Sequence, residues 1–204
     1  MSTPSLADLP AGFADPVHET QQVFRRLLDA MSRPGRIYAV DAARLSPPAG
    51  LGAAAAAVLL SLADPELRVW LCPSYAEGRL ADWLRFHTGA RIVASPEAAD
   101  WLVLPAASAS PELWSQAGAG TDEAPHTSAT LLIDLPQLGD APRLRLRGPG
   151  IEHEHTLAPE GLEAAFWRAR IAREADFPRG ADLVLACGER LAALPRSTRI
   201  ALED

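Results

Sequence analysis

Apolar positions along this chain change their period several times, and each change marks an element. Thr20, Phe24, Leu27, Leu28 and Met31 recur at helical spacing, with Gln22, Arg26, Asp29 and Arg33 on the other side. That pattern predicts an amphipathic helix over 16–32, its buried face carrying the first set. Asp15 suits its N-cap, Pro16 its first turn, and Pro34-Gly35 its stop. Ala53 to Ala63 is apolar on every side, which predicts a buried helix packed through small alanines. Glu77 to His87 carries Leu80, Trp83, Leu84 and His87 on one stripe and ends at Gly89, a candidate C-cap. Ser110-Pro111-Glu112 reads as the cap and first turn of a short helix through Trp114. Pro159 is expected to start a helix running to about Ala175, with Leu162, Ala165, Phe166, Ala169 and Ala172 on its buried side.

Between these lie short runs that read as strands: 36–40, 69–72, 91–94, 101–104, 130–135 and 183–186. Arg143 to Arg147 alternates strictly, so Arg143, Arg145 and Arg147 share one face and Leu144 and Leu146 the other. Gly148-Pro149-Gly150 then fits a type II turn, and 153–157 resumes extended structure. Segments 190–194 and 198–202 are expected to pair as a hairpin around Pro195-Arg196-Ser197. Helices and strands alternate early and strands cluster late, which argues an α/β layered fold with a mixed sheet. Residues 1–15 read as a loose lead-in and 16–204 as a single domain, with no repeat or long linker.

Composition narrows the function classes. The 204 residues are 48% hydrophobic and 22% charged, ordinary for a globular chain, and the net charge of −7 argues against nucleic acid as the main partner. The first basic residue is Arg25, which argues against a signal peptide. The longest apolar run, 51–63, is well short of the roughly 20 residues a membrane helix needs. Two cysteines, Cys72 and Cys187, are too few for a disulfide framework or a zinc site. A cytoplasmic protein with reduced thiols and no membrane partner is the expectation. No residue is lysine; all 19 basic residues are arginine. That removes a Walker A phosphate loop and any Schiff-base chemistry on a lysine of this chain.

Arg143, Arg145 and Arg147 beside the Gly148–Gly150 turn could meet phosphate or carboxylate, since guanidinium forks match those anions. A half-buried strand with a solvated outer face accounts for the same alternation. His153 and His155 are the one metal-like pair, for which His126 would have to serve as a third ligand; two exposed histidines on a surface strand are the simpler account and the one expected. His87 reads as a packed or capping histidine and Cys187 as an inert buried thiol. Gly118-Ala119-Gly120 lacks the third glycine of a dinucleotide fingerprint, and no Gly-x-Ser-x-Gly elbow is present. A stand-alone nucleotide- or phosphate-binding enzyme using the arginine face, and a metal-dependent hydrolase on His153 and His155, are the alternatives these residues leave open.

Several stretches taken in order carry a resemblance: Phe24 to Gly35, Leu84-Arg85-Phe86-His87-Thr88, Leu146 to Ile151, Phe177 to Leu183, Cys187 to Leu191, and Leu194 to Thr198. Together they resemble the H subunit of the bacterial carbon–phosphorus lyase system, the phosphonate metabolism family PhnH. The resemblance implies a three-layer α/β/α fold similar to the large domain of pyridoxal-phosphate-dependent transferases. The absence of lysine rules out the aldimine that cofactor needs, so no pyridoxal phosphate is expected. It also implies a homodimer in isolation and a core complex with the G, I and J subunits. With G, I and the ATP-binding L subunit, such a protein supports transfer of the ribose triphosphate of ATP to an alkylphosphonate, with release of adenine. The resemblance supplies no catalytic residue. Arg25, Arg26, Arg33, Arg85, Arg147 and Arg190 lie in or beside its motifs and are contact candidates for anions or partner subunits.

Overall fold

A computed structural model describes residues 9–42 and 44–203, so most of the expected lead-in, residues 1–8, lies outside the described residues. In chain order the elements are α1 (Pro16–Ser32), β1 (Tyr38–Ala39), α2 (Ala53–Leu62), β2 (Arg68–Leu71), α3 (Pro73–Ala76), α4 (Leu80–Thr88), β3 (Arg91–Val93), β4 (Trp101–Pro105), α5 (Leu113–Gln116) and β5 (Thr130–Asp134). They continue with β6 (Leu138–Arg147), β7 (His155–Pro159), α6 (Ala164–Ala172), β8 (Asp182–Cys187), β9 (Arg190–Leu194) and β10 (Arg199–Leu202).

Seven strands form one mixed sheet in the order β1-β9-β8-β5-β4-β2-β3. Strands β2, β3, β4, β5 and β8 run parallel; at one side β9 joins β8 antiparallel, and β1 joins β9 antiparallel and so runs with the parallel set. The central strands are buried on both faces: Leu102, Leu104, Leu131, Leu132, Ile133, Leu183 and Leu185 are wholly buried. That is why they read as continuous apolar runs rather than alternating ones. Each such side chain contributes roughly 1.5–3 kcal/mol by leaving water. Helix α2 packs on α1 and on β5, β8 and β9 through Ala54, Ala55, Ala56 and Ala57, all wholly buried. The result is a mixed α/β domain with interleaved helices and sheets, consistent with an α/β/α layering. Among the described residues no helix is long and apolar enough to cross a membrane.

Helix α1 begins as its sequence predicts. Asp15 accepts hydrogen bonds from the His18 backbone N–H (3.3 Å) and pairs with its ring Nδ1 (2.8 Å). These contacts hold the Asp15 carboxyl below its usual range. The buried face differs from the expected one. Val23, Leu27 and Ala30 are buried, while Phe24 is 44% and Leu28 52% exposed. The helix carries two apolar stripes, and the expected face straddled both. One faces the core; the other, Val17, Phe24 and Leu28, lies within about 40° around the axis and faces outward.

Three further expectations are corrected. The stretch from Glu77 to His87 is not one helix: α3 precedes it, and α4 starts only at Leu80, with Leu80, Trp83 and Leu84 buried as expected. Pro159 ends strand β7 rather than starting a helix, and α6 begins at Ala164 with Phe166, Trp167 and Arg170 buried. β7 is an edge strand, where a missing N–H is tolerated. Segments 190–194 and 198–202 do not pair with each other. β9, with Leu191 to Leu194 all buried, pairs with β8 and β1 inside the large sheet. β10 alternates exposed and buried residues and joins a separate three-stranded sheet, β10-β6-β7.

Residues 9–14 have no regular secondary structure yet are docked. Trp83 Nε1 donates to the Pro10 carbonyl (2.9 Å), and His87 Nε2 lies 3.0 Å from the same oxygen. Leu9 and Phe13 pack on the core. His87 is thus a packed histidine, edge-on to Trp83 and Phe86.

Candidate functional site

The small sheet positions the arginine strand. On β6, Leu144 and Leu146 are wholly buried while Arg143, Arg145 and Arg147 are exposed, as the alternation predicts. The turn that follows closes with Ile151 N–H donating to the Gly148 carbonyl (3.1 Å), and Gly150 sits at φ 82°. Antiparallel pairing to β10 then sets Arg147 directly opposite Arg199, and Arg145 opposite Ala201. Arg145 pairs with Glu203, and Arg147 binds Glu154 through Nε (3.0 Å) and Nη2 (2.9 Å).

Four of the stretches that carry the resemblance meet around this turn, although they are far apart in sequence. The end of α1 packs so closely on it that a Cβ at Gly150 would lie 2.1 Å from the Ser32 carbonyl. Met31, Ser32, Pro149, Phe177, Pro195 and Ser197 line a depression of about 480 Å³. Beyond Pro149 it passes into a groove of about 350 Å³ between Arg147, Phe177 and Arg199, and then into one of about 390 Å³ reaching Arg145. Phe177 is 59% exposed, a large apolar ring left in water beside cations.

The floor is held from beneath by Arg170, which is 3% exposed. Its Nη2 donates to the carbonyls of Arg196 (3.1 Å), Pro195 (3.3 Å) and Thr198 (3.3 Å). Its guanidinium lies 3.9 Å from Glu174 and stacks over Trp114 at 5.7 Å. Burial pushes the Arg170 pKa down, opposed by Glu174 and Asp182. Arg196 is likewise committed. Its backbone N–H binds Asp182 (2.7 Å), and its guanidinium binds the carbonyls of Pro125 and Gly180 and the Ser128 hydroxyl.

The other arginine candidates do not join this site. Arg25 and Arg26 line a separate cleft of about 740 Å³ with Asp29, Asp41 and Glu189, so that cleft is of mixed charge. Arg33 pairs with Asp29 (3.0 Å) and Arg85 with Asp82 (3.4 Å), both on the surface. Arg190 is exposed at the start of β9, opposite Cys187 and Ala39. His153 lies in a bend ahead of β7, fully solvated beside Glu152, so it does not share a strand face with His155. Among the described residues no group of three or more His, Cys, Asp or Glu side chains could hold a metal ion. The thiol of Cys187 is half-buried and points at the Pro136 carbonyl (3.6 Å); that of Cys72 is buried near the Ser74 hydroxyl (3.1 Å).

Arg199, Phe177, Ser197 and Arg170 escaped notice in the sequence as site residues. Only the alternation Arg199-Ile200-Ala201-Leu202, matching that of β6, hinted at the pairing that brings Arg199 to Arg147.

Fold and surface together define a class: a mixed-sheet α/β protein whose added small sheet presents a basic, partly apolar groove within an acidic chain. The sequence comparisons give the family. Residues 11–201 match the bacterial phosphonate metabolism protein family, PhnH. The chain is 40% identical over 191 residues to the alpha-D-ribose 1-methylphosphonate 5-triphosphate synthase subunit PhnH of Rhizobium meliloti (strain 1021), covering 94% of each. It is 35% identical over 183 residues to a putative C-P lyase subunit protein, HtxG, of Stutzerimonas stutzeri, covering 90% of this chain and 86% of that one. The chain belongs to the PhnH family of bacterial phosphonate metabolism proteins.

Proposed function

We propose that the chain is a subunit of a carbon–phosphorus lyase assembly used in alkylphosphonate breakdown. In that assembly it supports, with G, I and L subunits, transfer of the ribose triphosphate of ATP to an alkylphosphonate. The observation that carries this reading is the end-to-end match to a synthase subunit, 94% of both chains. The role is one of assembly and support in the cytoplasm, as a homodimer when alone and bound to G, I and J in the core complex. The likeness of the layered sheet to the pyridoxal-phosphate transferase large domain belongs to the same proposal.

The outward stripe of α1 supports the assembly role. Val17 (77% exposed), Phe24 and Leu28 lie along one side of a long helix and are left uncovered by the chain's own core. Apolar surface of this kind is commonly removed from water by a protein partner. Co-expression with the G, I and J subunits followed by native mass spectrometry tests both points. The wild-type chain is expected in the assembly. Leu28→Glu should fold normally, since an exposed change costs within about 0.5 kcal/mol, and should be absent from it. A wild-type chain that stays free while G, I and J assemble would sink the subunit reading. A Leu28→Glu chain that assembles normally would sink the role of the stripe.

A further inference from the structure

Two arginines directly opposite on antiparallel strands repel each other, and an anion between or beside them relieves that repulsion. Arg147 and Arg199 are such a pair. Arg147 spends part of its guanidinium on Glu154, but among the described residues no carboxylate pairs with Arg199. Glu174 also lines the groove, but its carboxylate accepts from the Ile200 N–H (2.8 Å) and lies near Arg170, so its charge is already engaged. Ser197, on the same wall, has no hydrogen-bond partner for its hydroxyl among the described residues, and next to it Thr198 is wholly buried with its Oγ1 unpaired beneath the groove surface. Opposite them stand Pro149 and the exposed ring of Phe177. The space of about 350 Å³ is at the small end of ligand pockets.

We propose that the groove between Arg147, Arg199 and Phe177 binds a tetrahedral oxyanion of the phosphate or phosphonate type, with the organic group it carries lying against Phe177 and Pro149. The arginines supply charge and forked N–H donors, Ser197 supplies a hydroxyl, and the ring covers the apolar end. The oxyanion follows from the groove; its phosphonate identity rests on the functional reading above.

Amide NMR on the full-length isolated chain tests this, reading Ser197, Thr198 and Arg199 during titration with phenylphosphonate, methylphosphonate and inorganic phosphate in separate arms. Phenylphosphonate is expected to shift these amides and to bind several-fold tighter than methylphosphonate. Arg199→Gln should weaken every arm about tenfold, the loss of one charge-assisted contact. Arg199→Lys should recover part of it, and Phe177→Ala should erase the preference for the phenyl group. If no arm shifts these amides, or Arg199→Gln leaves the affinities unchanged, the proposal falls. It also falls if all three probes bind equally, which would mark a bare inorganic-anion site. If Arg199→Gln and Phe177→Ala leave the titrations intact but prevent co-purification with the other subunits, the groove is a subunit contact and the proposal falls. Assembly is measured separately, so a chain that assembles without binding these probes refutes this inference alone. One that binds them but never assembles refutes the subunit reading alone.

Discussion

Gly150→Ala is the sharpest single test of how the site is built. Gly150 has φ 82°, a conformation that costs an L-residue about 1 kcal/mol. Its missing Cβ matters as well. An added methyl would sit 2.1 Å from the Ser32 carbonyl and 3.0 Å from Pro34 Cδ. The first is backbone at the end of α1, which cannot swing aside as a flexible side chain would. Forcing a methyl into packed surroundings costs about 1–3 kcal/mol, so the total comes to about 3 kcal/mol. For a chain of this length that lowers the midpoint of thermal unfolding by about 6–12 °C. Gly188→Ala is the matched control. It also has positive φ, 57°, but nothing lies within 4 Å of its would-be Cβ. It should show the backbone cost alone, about 1 kcal/mol or about 2–4 °C. Scanning calorimetry of the two variants separates strain from contact. If Gly150→Ala shifts the midpoint no further than Gly188→Ala, the close packing of the turn on α1 is wrong.

Arg170→Met should cost about 3 kcal/mol, because it leaves the carbonyls of Pro195, Arg196 and Thr198 without their shared donor. Urea unfolding at neutral pH checks it, and a loss under about 1 kcal/mol would show that these carbonyls find other donors. Asp100 is held below the usual carboxylate range by the Arg68 guanidinium, which binds it at 2.5 and 3.0 Å. A depressed carboxyl stabilises the fold above its unfolded pKa of about 4, and that contribution disappears as pH falls through the folded value. The pair is partly exposed, so the contribution is at most about 1 kcal/mol. Urea midpoints should therefore fall more steeply from pH 7 toward about pH 3 for the wild type than for Asp100→Asn; parallel curves would contradict the pairing.

What the sequence made legible was local. Apolar runs at 101–104, 130–135 and 183–186 marked the parallel strands because burial on both faces leaves no other pattern. Asp15, Gly89 and the Gly148–Gly150 turn declared themselves through cap and turn chemistry. Non-local pairing escaped. Nothing near 198–202 says that its partner is 144–147 rather than 190–194, because the choice depends on which apolar faces the rest of the fold leaves open. The same limit hid Arg170. A cation among Phe166 and Trp167 reads as an exposed helix position until the carbonyls of 195–198 are brought over it. On α1 the error had another cause. Phe24 and Leu28 obey the helical period as well as Val23 and Leu27 do, and periodicity cannot tell a stripe for the chain's own core from one left facing outward.

The fold also explains why the groove lies where it does. Open parallel sheets bind ligands outside the carboxyl ends of their strands, usually with an anion against a helix N-terminus. Here that place is taken by the chain itself. Asp134, the last residue of β5, sets its carboxylate 2.5 Å from the Gly52 N–H at the start of α2. The helix therefore already has its anion. Tyr75 closes the neighbouring space, its hydroxyl donating to the Gly50 carbonyl (3.0 Å). Burial pushes the Asp134 carboxyl up, and burial together with the nearby Asp134 pushes up the Tyr75 phenol. A phosphate brought there would meet a carboxylate rather than a cation. The cations stand instead on the small sheet of β6, β7 and β10, an addition to the parallel core that carries Arg145, Arg147 and Arg199 on its outer face. The architecture thus points to one location for a ligand and the side chains to another, and charge decides between them in favour of the small sheet.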